Sequence, residues 1–176
     1  MKNVVKAAVC VALLAGASAR AETFDFSYAF GSGAAVTGSL EGSLVGDTVQ
    51  NISDIHAALN GIAFTGTLNA AGFDSSTGAF DQSAVVSTDV TKNNFILADA
   101  ADRAGINAGN FTNFFEMIVN NGVFAGNGNV LLNNSASDEV ANGSWTLKPV
   151  PVPAALVLFS SGLGLLGAFR RRSAAV

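Results

Sequence analysis

Few residues in this chain could carry out catalysis or bind a metal, and the number of residues of each type already excludes most kinds of site. His56 is the single histidine among 176 residues, and the single cysteine, Cys10, lies in the apolar run near the start. A zinc cluster or a histidine-based catalytic triad would therefore have to be assembled around His56 alone. Because Asp54 lies two positions earlier on a predicted strand, we interpret His56 as a surface histidine beside a carboxylate.

Paired carboxylates are the second candidate chemistry, since two neighbouring acidic side chains can hydrolyse a glycosidic bond. The nearest pairs in the sequence are Asp74 with Asp81 and Asp99 with Asp102. The stretch that contains the first pair, DSSTGAFD, is typical of a loop between strands, although its oxygen atoms would also suit Ca²⁺. We expect no enzyme, no catalytic residue, no cofactor and no resident metal, and keep glycoside hydrolysis and calcium binding as alternatives.

Two other features of the sequence could indicate a ligand-binding site, a single tryptophan and a glycine motif. Trp145, the single tryptophan, is interpreted as a core residue rather than as a platform for a sugar. The glycines at positions 162, 164 and 167 match the G-x-G-x-x-G dinucleotide pattern. That motif works between a strand and a helix with an acidic residue about 20 positions later, whereas here three arginines and the chain end follow. We therefore interpret these small residues as positions for close helix packing in a membrane.

The start of the chain predicts a secretory signal peptide over residues 1–21. Two lysines precede an apolar run, and small residues then offer cleavage after Ala21 or, as an alternative, after Ala19. Export of this kind uses the Sec translocon. Because Cys10 leaves with the signal, the mature chain has no cysteine and hence no disulfide or thiolate site.

The end of the chain predicts a transmembrane helix over residues 154–169, which carry no charge. Arg170, Arg171 and Arg172 follow directly, and basic clusters favour the cytoplasmic side of a membrane. A proline-containing segment, Val150-Pro151-Val152-Pro153, precedes the helix, and its two prolines hold it extended outside the bilayer. The intervening domain is then placed on the outer side of the membrane.

The order Pro-x-Pro, short hydrophobic helix and arginine cluster resembles the PEP-CTERM sorting tail, in its VPLPA-type variant. The resemblance covers residues 150–176, and Val152 stands where the typical motif has Glu. It implies processing by an exosortase-type enzyme of a Gram-negative bacterium, followed by delivery to the cell surface or the exopolysaccharide matrix. A plain single-pass membrane anchor is the alternative.

Between the two ends lies a strongly acidic segment, residues 22–148. It holds all 13 acidic residues of the chain and only three basic ones, a net charge of −10. Such a domain repels polyanions, so we expect no nucleic-acid partner.

The acidic segment alternates apolar with small polar residues and is punctuated by glycine and Asn-Gly, which predicts an all-β fold. We expect an antiparallel β-sandwich of jelly-roll or immunoglobulin-like outline. A helical turn over 98–104 is the alternative within the weakest part, residues 95–117. The predicted strands cover residues 23–30, 36–44, 48–59, 62–68, 80–87, 94–98, 113–119, 129–133 and 143–147.

The sequence thus predicts three parts: a signal peptide (1–21), an acidic β-domain (22–148) and a sorting tail (149–176). The predicted function is that of an exported cell-envelope or matrix protein with a non-enzymatic structural or adhesive β-domain, for which exopolysaccharide is a candidate partner. The alternative is a carbohydrate- or calcium-binding module on a membrane anchor.

Overall fold

Two antiparallel sheets form the part of the chain that the structure describes. It is a computed structural model, and it describes residues 21–118, 122–128, 134–141 and 144–151. Every strand pairing within these ranges is antiparallel, and the single α-helix there, Arg103–Asn107, is five residues long. The all-β prediction is therefore confirmed.

The first sheet has three long strands at its centre. They are β1 (Glu22–Ala29), β2 (Ala35–Val45) and β3 (Thr48–Leu59), and each pairs with the next through a short turn. Its shorter strands are β4 (Ile62–Ala63), β7 (Val86–Ser87) and β12 (Thr146–Pro149). The order is β12-β1-β2-β3-β4, and β7 also pairs with β3.

The second sheet is built from strands that follow one another closely in the chain. They are β5 (Asn69–Asp74), β6 (Ala79–Gln82), β8 (Asn94–Ala98), β9 (Asn113–Ile118), β10 (Gly122–Asn127) and β11 (Asn134–Asp138). Their order is β11-β10-β9-β8-β5-β6, so that β8 to β11 form a meander. A 3₁₀ helix, Val90–Lys92, and the helix Arg103–Asn107 lie in the connections.

Alternation explains why β1 forms and which face it buries. Phe24, Phe26 and Tyr28 are buried, while Asp25 between them is exposed, which is the two-residue period of a strand covered on one side. The turn from β3 to β4 has positive φ at both Asn60 and Gly61, 53° and 78°, as a two-residue hairpin turn requires. The predicted Asn-Gly turn is confirmed there.

The inner faces of the two sheets share one aromatic core. Phe26 on β1 and Phe115 on β9 stack with ring centroids 6.0 Å apart and an interplanar angle of 8°. Trp145, which precedes β12, contacts both rings and also lies 5.8 Å from Phe95 on β8. Its indole N–H donates to the Ser87 carbonyl at 2.7 Å, so the one polar group of this side chain is paired inside the core.

Several strand boundaries differ from the sequence predictions. The segment predicted over 62–68 is strand only at β4, and the one predicted over 80–87 is interrupted between β6 and β7. Strand β5 was missed because its sequence, NAAGFD, is poor in β-branched residues. Glycine is required at position 72 of β5, because a Cβ there would clash with the Ser83 carbonyl oxygen at 2.5 Å.

Strands β10 and β11 were also missed, because glycine and small polar residues give a weak alternation signal. The helical turn considered as an alternative over 98–104 is found later in the chain, at Arg103–Asn107. The strand predicted over 129–133 lies outside the described residues, as do the signal segment up to residue 20 and the helix predicted over 154–169. Within the described ranges, no helix is long and apolar enough to cross a membrane.

Truncating Phe115 should cost more stability than any surface change. Phe115 is fully buried and contacts rings from both sheets, so Phe115→Ala is expected to lower the free energy of unfolding by about 3–5 kcal/mol. Urea unfolding followed by the fluorescence of Trp145 measures the change. Val140→Ala is the control, because Val140 is 73% exposed and its truncation should change stability by no more than about 0.5 kcal/mol. Equal losses in the two variants would contradict a shared core.

Candidate functional site

His56 lies at the surface, as the sequence predicted. Its Nε2 is 3.2 Å from Oδ1 of Asp54, and the two side chains are 73% and 64% exposed. Asp54 adopts a positive φ of 46° in the part of β3 where the pairing with β2 shifts register. The pair is a solvated contact on an irregular strand.

The Asp74–Asp81 stretch connects β5 to β6: residues 75–78 form the turn, Asp74 ends β5 and Asp81 lies in β6, so the loop interpretation holds for the central residues only. Asp74 ends β5 and accepts a hydrogen bond from the backbone N–H of Ser76 at 2.8 Å. Hydrogen bonds from Ser76 hold the pKa of Asp74 below its ordinary value. Asp81 accepts from the Thr77 hydroxyl at 3.3 Å, and both carboxylates therefore stabilise the β5–β6 turn.

The carboxylates of Asp99 and Asp102 likewise accept hydrogen bonds from neighbouring residues of the chain. Desolvation would raise the pKa of Asp99, but hydrogen bonds from Thr112 and Asn113 outweigh it and leave this pKa below its ordinary value. Asp102 caps the helix Arg103–Asn107 by accepting from the Gly105 N–H at 2.8 Å. In the described ranges, no three or more His, Cys, Asp or Glu side chains cluster as a metal site would require.

Trp145 is 7% exposed, which confirms that it is a core residue. It therefore offers no ring to a carbohydrate. Any stacking platform for a sugar must be provided by other aromatic residues, and nine of the 13 phenylalanines of the chain belong to the core or pack beside it.

The first half of the predicted sorting motif lies at the end of the first sheet. The Val150 N–H donates to the Thr23 carbonyl at 2.8 Å, and Pro151 is exposed directly beyond it. Ala21, the residue before the expected cleavage site, is exposed and directly precedes β1. Three parts of the prediction lie outside the described residues: Ala19, the pair Val152 and Pro153, and the cluster Arg170, Arg171 and Arg172.

A groove of about 460 Å³ with a mixed polar and apolar lining opens between β3 and the segment before β8. Its lining includes Gln50, Asn51, Ser83 and Arg103. The Arg103 guanidinium donates to the Asp81 carbonyl. Among the described residues that line the groove, Arg103 is the one cation, so they offer no unpaired charge with which to select a ligand.

The outer face of the second sheet carries a more distinctive arrangement, which we call the Phe–Glu–Phe face. It consists of Phe114 and Glu116 on β9 and Phe124 on β10. Glu116 lies directly opposite Phe124 in the β9–β10 register, and Phe114 lies opposite Gly126. Phe124 is 37% exposed, and the other two side chains are half-buried.

Glycines shape this face. A Cβ at Gly126 would lie 2.6 Å from the ring of Phe114, and one at Gly122 would lie 3.0 Å from the ring of Phe124. Each ring thus covers a glycine of β10 and lies close against the sheet. A shallow depression of about 430 Å³ borders both rings and is lined on its other side by Ser32, Ser135 and Ser137.

Glu116 is the unusual residue of this face, because its carboxyl is half-buried. Burial raises the pKa of Glu116 above its ordinary value. Among the residues that the structure describes, none donates a hydrogen bond to this carboxylate or forms an ion pair with it. A half-buried carboxylate between two rings is suited to accept hydrogen bonds from a ligand.

Comparison with known proteins yields no relative: no family model, no curated protein and no solved structure matches the chain.

Sequence reasoning missed the Phe–Glu–Phe face, although one signal was present. Strand β9, NFFEMI, has apolar residues on both of its faces, so alternation cannot tell which side is covered. Phe115 and Met117 are fully buried, whereas Phe114 and Glu116 point away from the shared core. A single Glu in a strand with apolar residues on both faces is the sequence signal, because Glu is rarely buried.

Neutralising Glu116 should stabilise the protein at neutral pH. Because the pKa is raised in the folded state, ionisation of Glu116 costs stability at pH values above that pKa. Glu116→Gln is therefore expected to raise the urea midpoint at pH 7, with the difference vanishing well below the ordinary Glu pKa of 4.5, where both side chains are neutral. Glu139→Gln, at an exposed position on the surface, is the control and should change the midpoint little. A lower midpoint for Glu116→Gln at pH 7 would show that the carboxylate stabilises the fold.

Proposed function

We propose that this chain is an exported protein of the bacterial cell envelope or extracellular matrix, with a non-enzymatic adhesive or structural β-domain. In this proposal the Sec translocon exports it, the inner membrane holds it by the helix over 154–169 with the domain in the periplasm, and an exosortase-type enzyme processes its tail. The mature domain then reaches the cell surface or the exopolysaccharide matrix. Nucleic acid is not a partner in this scheme.

The observation that supports the proposal most is the position of the two ends of the domain. Strand β1 begins at Glu22, directly after the expected signal cleavage site, and β12 ends at Pro149, directly before the Pro-x-Pro motif. The two strands are antiparallel neighbours, with Phe24 opposite Pro149. The two segments predicted to contact the membrane therefore leave the domain at the same end of the same sheet.

The sandwich architecture is part of the proposal. Two sheets with a common core support it, and the pairing of consecutive strands favours a meander over the Greek-key connections of jelly-roll and immunoglobulin-like domains.

Carbohydrate binding is the second candidate function, and the Phe–Glu–Phe face favours it. Two rings and an unpaired carboxylate on an open face offer stacking and hydrogen-bond acceptance together. Calcium binding has weaker support, because the loop carboxylates at Asp74 and Asp99 are occupied by their own hydrogen bonds.

Processing of the tail can be tested by intact mass and terminal peptide mapping of protein expressed in a Gram-negative host that carries an exosortase. We expect a mature form that starts at Glu22, ends within residues 151–153 and is recovered outside the inner membrane. The double change Pro151→Ala and Pro153→Ala should leave the chain ending at Val176 in the membrane fraction, because the segment loses its fixed extended shape.

Pro149→Ala is the matched control, since this proline lies in the same stretch but belongs to edge strand β12 and not to the motif. The control should be processed like the unchanged protein. If the unchanged protein itself keeps Val176 and stays in the membrane, the chain is a plain single-pass anchor and the sorting proposal fails.

A further inference from the structure

We propose that the Phe–Glu–Phe face is a binding site for a neutral polysaccharide chain. The inference rests on the proposed adhesive function and gives it a site, a ligand class and three binding residues.

The two rings supply the apolar part of such a site. Phe114 and Phe124 lie against Gly126 and Gly122 of β10, so neither ring has a Cβ of that strand beneath it to push it off the sheet. The partly negative face of an aromatic ring attracts the C–H groups of a sugar ring. Phe111 contacts Phe114 edge to face at 5.2 Å and supports it from the side.

Glu116 supplies the polar part. The β9–β10 register places it directly beside Phe124, and Phe114 is its next neighbour on the same face of β9. Its carboxylate has no partner in the described part of the chain, and an unmet acceptor that is shielded from water gains most from a hydroxyl donor. Ser135 and Ser137 line the depression beside the rings and add hydroxyls that both donate and accept.

Charge selects among the polymers that such a face could hold. Among the described residues, no Lys or Arg lines the depression, and the acidic segment carries a net charge of −10. A polyanionic chain would therefore be repelled, whereas an uncharged chain would not. The carboxylate at the centre also distinguishes the face from an apolar protein interface, because burying an unpaired charge against a protein surface is costly.

Affinity electrophoresis of the purified full chain in mild detergent tests the proposal. The gels contain hydroxyethylcellulose, dextran or galactomannan as neutral probes, and alginate as the anionic one. We expect retardation by at least one neutral polymer and none by alginate. Phe124→Ala should weaken this binding by about tenfold and Glu116→Gln by about fivefold.

Two matched variants lie on the first sheet. Leu44→Ala removes a side chain that is 42% exposed, and Glu41→Gln neutralises a half-buried carboxylate. Both should bind as the unchanged protein does. The fluorescence of the buried Trp145 shows for every variant whether the core remains folded.

Three results would overturn the proposal: no retardation in any neutral gel, equal binding by Phe124→Ala and the unchanged protein, or equal weakening by the first-sheet variants. Light scattering adds a further check, because loss of a dimer in Phe124→Ala without any polymer binding would assign the face to self-association. The binding-site proposal and the sorting proposal can be disproved independently of each other. Phe124→Ala should still be processed at its tail, and the double proline variant should still bind polymer.

Discussion

The stacking of aromatic rings around Phe115 is the contact on which the two-sheet arrangement depends. Phe26 comes from the first sheet, Phe95 and Phe115 come from the second, and Trp145 lies among all three. Burial of large rings contributes strongly to the stability of a small domain, because each ring removes a large apolar surface from water. The hydrogen bond from Trp145 to Ser87 also ties the approach to β12 to strand β7 of the same sheet.

That core also positions the ends of the domain. Trp145 is followed directly by β12, so packing of the indole fixes where the last strand lies against β1. The Val150 N–H then binds Thr23, and the chain leaves the sheet at the Pro-x-Pro motif. In the proposed scheme, a processing enzyme would therefore meet an extended, proline-stiffened segment anchored by a folded domain.

The outer face of the second sheet is covered unevenly, and this unevenness creates the proposed site. Over β5 and β8, the helix Arg103–Asn107 contributes Ile106 to a small second cluster with Ala71, Ile96 and Ala98. Over β9 and β10, Phe124 is exposed and the carboxyl of Glu116 is only partly shielded from water. Strand β9 thus has one face in the shared core and another whose central carboxylate has no partner among the described residues, so a ligand there would face a preformed surface.

The sequence alone determined the all-β class, the long strands β1 to β3, the turn at Asn60, and the structural roles of His56, Asp74 and Trp145. Each follows from local alternation, turn chemistry or residue counts, which need no knowledge of distant contacts. Strands β5, β10 and β11 escaped prediction because their small residues are held by neighbours on the sheet more than by their own preferences.

Only the tertiary structure decided where the Phe–Glu–Phe face lies. A two-residue period shows that Phe114 and Glu116 share a side of β9, but it does not show whether another layer covers that side. It also does not reveal which residue of β10 stands opposite Glu116, since register is set by pairing between strands. The site therefore depends on the order of strands in the sheet and on which part of the sheet is covered, and neither can be read from a single sequence.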